Sequence, residues 1–195
     1  MHFNPAFEGW IFEFDVDYQL DKAHRDQSKF CSVIRSPTAD GTPTEQERSV
    51  DKYMAFESVV DLSNAIKSLP TNQVLWAKPK LWCQPAFDFL CIWKDLSSSA
   101  LNMVVTNATR AQTHSVLLGE VRKLAVDLGK YECAVSAIRF DFIVPKDAQF
   151  TFGELTGRLC EWQNLQGGQW PNAPTCESHC SLQCLVVAEI VPTQK

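Results

Sequence analysis

No apolar run in this chain reaches the ~20 residues that a membrane-spanning helix needs. The opening Met-His-Phe-Asn-Pro-Ala-Phe-Glu has neither a basic start nor an apolar centre, so no secretory signal is expected there. Internal repeats, sustained heptads and low-complexity tails are missing too, which excludes a repeat array and a coiled coil. No Gly-rich loop ends in Gly-Lys-Ser/Thr, so no ATP site is expected. Basic charge is not in excess: 18 Lys and Arg stand against 23 Asp and Glu, a net charge of −5. That balance gives no support to a generic binder of polyanions or membrane surfaces. The eight cysteines are too thinly spread over 195 residues to suggest a small disulfide-stapled domain. Cys83, Cys91 and Cys133 lie in or beside apolar stretches, where a reduced thiol behaves as a small hydrophobe. The composition therefore reads as a folded, reduced, intracellular chain.

What is present is enough apolar sequence, 45% of the chain, for one core. A single domain over 1–195 is expected, with a polar excursion at 35–50 and a Gly/Pro-rich loop at 166–175. Phe7, Trp10, Ile11, Phe14 and Tyr18 recur at helical spacing and set Glu13 and Asp17 on another face. Phe12, Phe14 and Val16 also alternate as a strand would, and the longer helical series favours the helix. Strands are expected at 29–34, 73–77, 86–93, 101–106, 134–144 and 182–191, with 53–57 extended; along 138–144, Ile138, Phe140, Phe142 and Val144 face one way and Arg139, Asp141 and Ile143 the other. A short helix is expected at 59–66 with Val60, Leu62 and Ile66 on its inner side, a stronger one at 115–128 and a further short one at 153–165. Short links favour antiparallel neighbours among 73–77, 86–93 and 101–106, while the helix at 115–128 can cross over to a parallel strand. The order suits one mixed α/β domain.

The most informative stretch is Pro85-Ala-Phe-Asp-Phe-Leu-Cys-Ile-Trp93, followed by Leu101-Asn-Met-Val-Val-Thr-Asn107. Asp88 interrupts the first apolar run and Asn102 opens the second. A carboxylate in a buried strand costs several kcal/mol, order of magnitude, unless something pairs with or coordinates it. Divalent-metal hydrolysis needs oxygen ligands on rigid elements. Asp88 and Asn102 are expected to share one edge, with Glu13 in support. Asp88 could equally cap a turn or pair with Lys80 or Lys94. Asn102 could simply tie down a strand start.

The run Asn4-Pro-Ala-Phe-Glu-Gly-Trp-Ile-Phe-Glu13 resembles the opening helix of a nuclease-like domain. That domain is shared by Crinkler effectors of oomycetes and retrotransposon hot spot proteins of trypanosomes. Trp76 through Lys80, Pro85-Ala-Phe-Asp-Phe, Leu101-Asn-Met-Val-Val-Thr, Thr113-His-Ser115 and Phe140-Asp-Phe-Ile-Val-Pro145 resemble later pieces in the same order. The resemblance implies a restriction-endonuclease-like fold of PD-(D/E)XK type, a mixed sheet with a helix-strand-strand-strand-helix-strand core. It implies Glu13, Asp88 and Asn102 as catalytic residues, Glu13 and Asp88 as ligands of Mg²⁺, and DNA or RNA as substrate. It also implies secretion and a host nucleus as destination, with a host or partner protein as a further partner. The Lys expected of the family falls at Val104, which carries no charge. A non-catalytic effector or interaction domain that retains the fold is therefore the alternative.

Cys176, Cys180 and Cys184 recur every four residues with His179 among them, one stripe if helical. Buried or incidental thiols are the preferred reading over a zinc site. Thr113 or His114 is expected to help start the helix at 115. Arg110, Arg122, Lys123 and Lys130 are diluted by acids at 120 and 127 and read as a solvated face.

Overall fold

The computed structural model describes residues 5–35, 44–81, 86–97, 100–145, 151–156 and 182–187. Along the chain run α1 (Pro5–Arg25), β1 (Lys29–Arg35), β2 (Thr44–Ser49), β3 (Lys52–Phe56) and α2 (Val59–Lys67). After them come β4 (Val74–Pro79), β5 (Phe89–Lys94), β6 (Leu101–Ala108), β7 (Thr113–Leu117) and α3 (Leu118–Lys130). The last three are β8 (Val135–Pro145), β9 (Thr151–Thr156) and β10 (Leu182–Val187). The fold is mixed α/β.

Eight of these strands form one sheet in the order β2-β1-β10-β8-β6-β5-β4-β3, and β7 pairs with β9 separately. The links between β4, β5 and β6 are short, and those strands pair antiparallel. Helix α3 occupies the connection from β6 to β8, and these two strands are parallel, as a helical crossover allows.

Period-two alternation sorts the side chains into two cores. Leu75, Ala77, Leu90, Ile92, Met103, Val105, Phe140 and Phe142 face α2 and α3. Trp76, Phe89, Cys91, Val104 and Ile143 face α1, which packs Val16, Leu20 and Ala23 onto them. The alternation expected for 138–144 is present, with Ile138, Phe140, Phe142 and Val144 in the first core. Helix α2 starts in a capping box, Ser58 Oγ accepting from the Asp61 N–H while Asp61 accepts from that of Ser58, worth about 1 kcal/mol.

Helix α1 turns the expected way round its axis only in part. It is a helix, but Phe7, Trp10, Ile11, Phe14 and Tyr18 point outwards, between 47% (Phe7) and 67% (Phe14) exposed. The inward stripe is Val16, Leu20 and Ala23, with Glu13 and Asp17 beside it. Beneath the helix the sheet offers Lys78 and Tyr53, partners for both acids. Small aliphatic side chains there let the helix lie close to Trp76 and Phe89. Ile11→Ser is accordingly expected to change stability by only about 0.5 kcal/mol. Leu20→Ala should cost about 3 kcal/mol. Urea denaturation of the two variants measures both, and a reversed order would reject the observed face.

Four other expectations change. The excursion at 35–50 contains β2, a polar edge strand paired residue by residue with β1. Its ladder is made by backbone groups, so Thr-Glu-Gln-Glu-Arg-Ser carries no apolar pattern to announce it. The helix expected at 115 starts at Leu118, because Thr113–Leu117 pairs with β9. Thr113 and His114 therefore belong to a strand, and Leu117 at the helix start makes no side-chain cap. Residues 153–156 are strand and not helix, and Val60, expected on the inner side of α2, is exposed. Residues 36–43, the loop at 166–175, Cys176 and Cys180 lie outside the described residues. Cys184 sits in β10, opposite Phe142, so no helical cysteine stripe extends to it.

Candidate functional site

Asp88 lies immediately before β5, at the end of that strand farthest from the turn joining it to β6. Its N–H donates to the Thr106 carbonyl at 3.0 Å, and its Oδ2 accepts from the Ala108 N–H at 2.7 Å. The side chain thus completes the ladder one step beyond the strand. Neither suggested structural partner reaches it: Lys80 pairs with Glu57, and Lys94 donates to the Lys67 and Leu69 carbonyls.

The charge of Glu13 does reach Asp88. The Asp88 carboxyl is pushed up to about 7, first by burial and second by the negative charge of Glu13, against the Ala108 hydrogen bond and the charge of Lys78. Helix α1 therefore places one of the sequence's two candidate metal ligands within electrostatic reach of the other.

Asn102 does not join them. In an antiparallel pair linked by a short turn, residues equally far from the turn face one another. Asn102 stands opposite Trp93, whereas Thr106 stands opposite Phe89. Five strand positions separate Asn102 from Asn107, the residue level with Asp88, or roughly 16 Å. The Asn102 amide instead donates to the Ala100 carbonyl at 3.3 Å. The expected shared edge of Asp88 and Asn102 is thereby corrected: the start of β5 meets the end of β6. The β6 residue whose carbonyl takes the Asp88 N–H is Thr106, buried, with an Oγ1 that has no hydrogen-bond partner among the described residues. Val104 is fully buried opposite Cys91 under α1.

The cation of the site comes from another strand. Lys78 on β4 places Nζ 2.9 Å from Asp17 Oδ2 and 3.6 Å from Glu13 Oε1. Asp17 Oδ1 accepts from the Tyr53 hydroxyl. Burial raises the Tyr53 phenol well above its ordinary range, and Asp17 adds to this. Sequence reasoning passed over Lys78 and Tyr53. A usable signal exists, since alternation puts Lys78 on the same face as Trp76 in an otherwise buried strand.

A second charged group lies on the same sheet face. Asp141 on β8 stands level with Thr106 and accepts from Arg48 at 2.6 Å and Arg139 at 2.8 Å. It is fully buried, and burial raises its carboxyl to about 6 against the pull of Arg48. Cys91 beneath is pushed up to about 12 by burial, so it is an inert thiol and not a nucleophile.

Among the described residues no group of three His, Cys, Asp or Glu is placed to hold a metal ion. Mg²⁺ needs less from a protein, taking one or two carboxylates and completing its octahedron with water and substrate phosphate. Glu13 and Asp88 fit that donor set. Asp88, whose carboxyl is raised by burial and by the charge of Glu13, is a group that a divalent cation would return to its charged form. A groove of about 400 Å³ runs elsewhere, along Gly119, Arg122, Lys123, Val126, Asp127 and Lys130 of α3. It lies across the sheet from Glu13, and Asp127 there takes Lys130 at 2.6 Å.

No family model, curated protein or solved structure matches the chain. No helix among the described residues is long and apolar enough to cross a membrane.

Proposed function

We propose that this chain is a nuclease-like domain of restriction-endonuclease arrangement, acting on DNA or RNA through a divalent cation held by Glu13 and Asp88. The observation that carries the reading is the half-buried Asp88 carboxyl at the start of β5, which feels the charge of Glu13 from α1, with Glu13 itself 3.6 Å from Lys78. The order α1, β4, β5, β6, α3, β8 supports it. So does the sheet order β4-β5-β6-β8, with the crossover helix between the last two.

Bound Mg²⁺ supplies positive charge to a phosphoryl oxygen and lowers the pKa of a water. The protein's part is to fix the two carboxylates on elements that cannot drift. Asp88 is tied to β6 through Thr106 and Ala108, and Glu13 is carried by a helix packed on the sheet. On β6 it is the Thr106 end of the strand, and not the Asn102 end, that is tied to Asp88.

The purified chain is expected to cleave single- or double-stranded nucleic acid with Mg²⁺ or Mn²⁺. Asp88→Ala should abolish cleavage while leaving the circular dichroism spectrum unchanged. Cleavage that survives in this variant would reject the site.

A second reading is favoured by β6 itself, which offers Val104 and Thr106 where charge would be useful. On this reading the chain keeps the fold without the reaction and serves as an effector or interaction domain for a host or partner protein. Protein that binds neither Mn²⁺ nor nucleic acid would put this reading ahead. Resemblance to Crinklers adds delivery into a host cell and its nucleus to either version.

A further inference from the structure

We propose that Lys78, held in place by Asp17 and Tyr53, supplies from β4 the positive charge that β6 lacks at Val104, and so stabilises the phosphate undergoing hydrolysis. This inference rests on the nuclease reading.

The geometry separates two jobs among the acids. Both oxygens of Asp17 are engaged, Oδ1 by Tyr53 and Oδ2 by Lys78. Among the described residues Asp88 is engaged through Oδ2 alone, by Ala108, and Glu13 touches Lys78 more loosely, at 3.6 Å. Asp17 is thus the anchor of the ammonium group, while Glu13 and Asp88 keep oxygen lone pairs for another ligand. The Phe14 and Phe89 rings lie 5.4 and 5.6 Å from Nζ and narrow the space in which it can move. The Lys78 side chain is 17% exposed, so it is not sealed from solvent. A cation positioned in advance in a partly dry site costs little reorganisation when charge develops near it.

In the reaction the oxygen of a water molecule forms a bond to phosphorus. The bond from phosphorus to the leaving sugar oxygen breaks, and that oxygen keeps the electron pair. One proton leaves the attacking water for solvent and one is taken up by the leaving oxygen, so no redox partner is required. Negative charge grows on the phosphoryl oxygens as the first bond forms, and Lys78 faces that charge. Asp17 and Tyr53 act through Lys78 and are positioning residues.

The test uses the full chain with Mn²⁺ and defined single- and double-stranded oligonucleotides. Lys78→Met is expected to lower kcat about a hundredfold with KM little changed, and Lys78→Arg to recover part of the loss. Titration with Mn²⁺ alone should show binding to Lys78→Met no weaker than to wild type, because a like charge has been removed from beside the ligands. Tyr53→Phe leaves the lysine in place and loosens its anchor, so it should lower kcat less, again at constant KM. It also serves should Lys78→Met fail to fold. If Asp88→Ala is inactive while Lys78→Met and Tyr53→Phe turn over like wild type, the role of Lys78 is rejected and the nuclease reading stands. A wild-type chain that cleaves neither substrate rejects both.

Discussion

Asp141→Ala is expected to lower the unfolding free energy by about 3–5 kcal/mol, the usual consequence of removing one partner from a buried ion pair. The carboxylate is fully buried and meets Arg48, itself 9% exposed, at 2.6 Å, with Arg139 at 2.8 Å. Deleting it leaves two guanidinium groups facing the interior without the anion that both now share. Its Oδ1 has no hydrogen-bond partner among the described residues, so the cluster is held chiefly by charge. Arg48→Met combined with Asp141→Leu removes all but one charge and should recover much of the loss. Urea denaturation of the single and double variants reads both results. A single-variant loss below about 1 kcal/mol, the range of exposed pairs, would show that water reaches this group.

Asp88→Asn should act in the opposite direction. In metal-free buffer at pH 8 we expect the variant to be more stable than wild type by about 2–4 kcal/mol. The upper figure comes from a carboxyl raised from 3.8 to about 7 at about 1.4 kcal/mol per unit, and the lower one allows for partial exposure. The sign follows from proton linkage. The folded chain holds the Asp88 proton more tightly than the unfolded chain does. The resulting stability is complete below about pH 4 and is lost as pH rises through about 7. Asn resembles the protonated acid at every pH and can still accept from the Ala108 N–H. The two proteins should therefore converge near pH 4 and separate by pH 8. Mn²⁺ should narrow the gap, because binding at Glu13 and Asp88 stabilises only wild type. An Asn variant that is less stable at pH 8, or a difference that ignores pH, would mean that Asp88 is a structural carboxylate.

How much of this was legible beforehand depended on how local each cause was. Alternation along 138–144 put Ile138 and Phe140 on one face and Arg139 and Asp141 on the other, and the sheet keeps that division. Asp88 was legible because an acid in Phe-Asp-Phe-Leu contradicts its neighbours. The pairing of Asp88 with Asn102 was misread, although the short turn at 95–100 already set which residues would meet. Lys78 was passed over because a single lysine in a strand has no partner within reach along the chain. Its acids arrive from α1, some sixty residues earlier.

The α1 stripe shows the same limit from the other side. Five large apolar residues at helical spacing correctly announced a helix, yet it is another face of that helix that meets the sheet. Spacing records only which residues share a side. Which side is buried depends on what lies opposite, here Lys78 and Tyr53 waiting for Glu13 and Asp17. The identity of α1, α2 and the body of α3, the antiparallel β4-β5-β6 run and the oddness of Asp88 were thus written in the chain, because neighbouring residues suffice to cause them. The rotation of α1, the ladder of β2, the start of α3 and the company of Asp88 were settled by long-range packing. Each of these turns on a contact energy between segments far apart in sequence, which no local pattern carries.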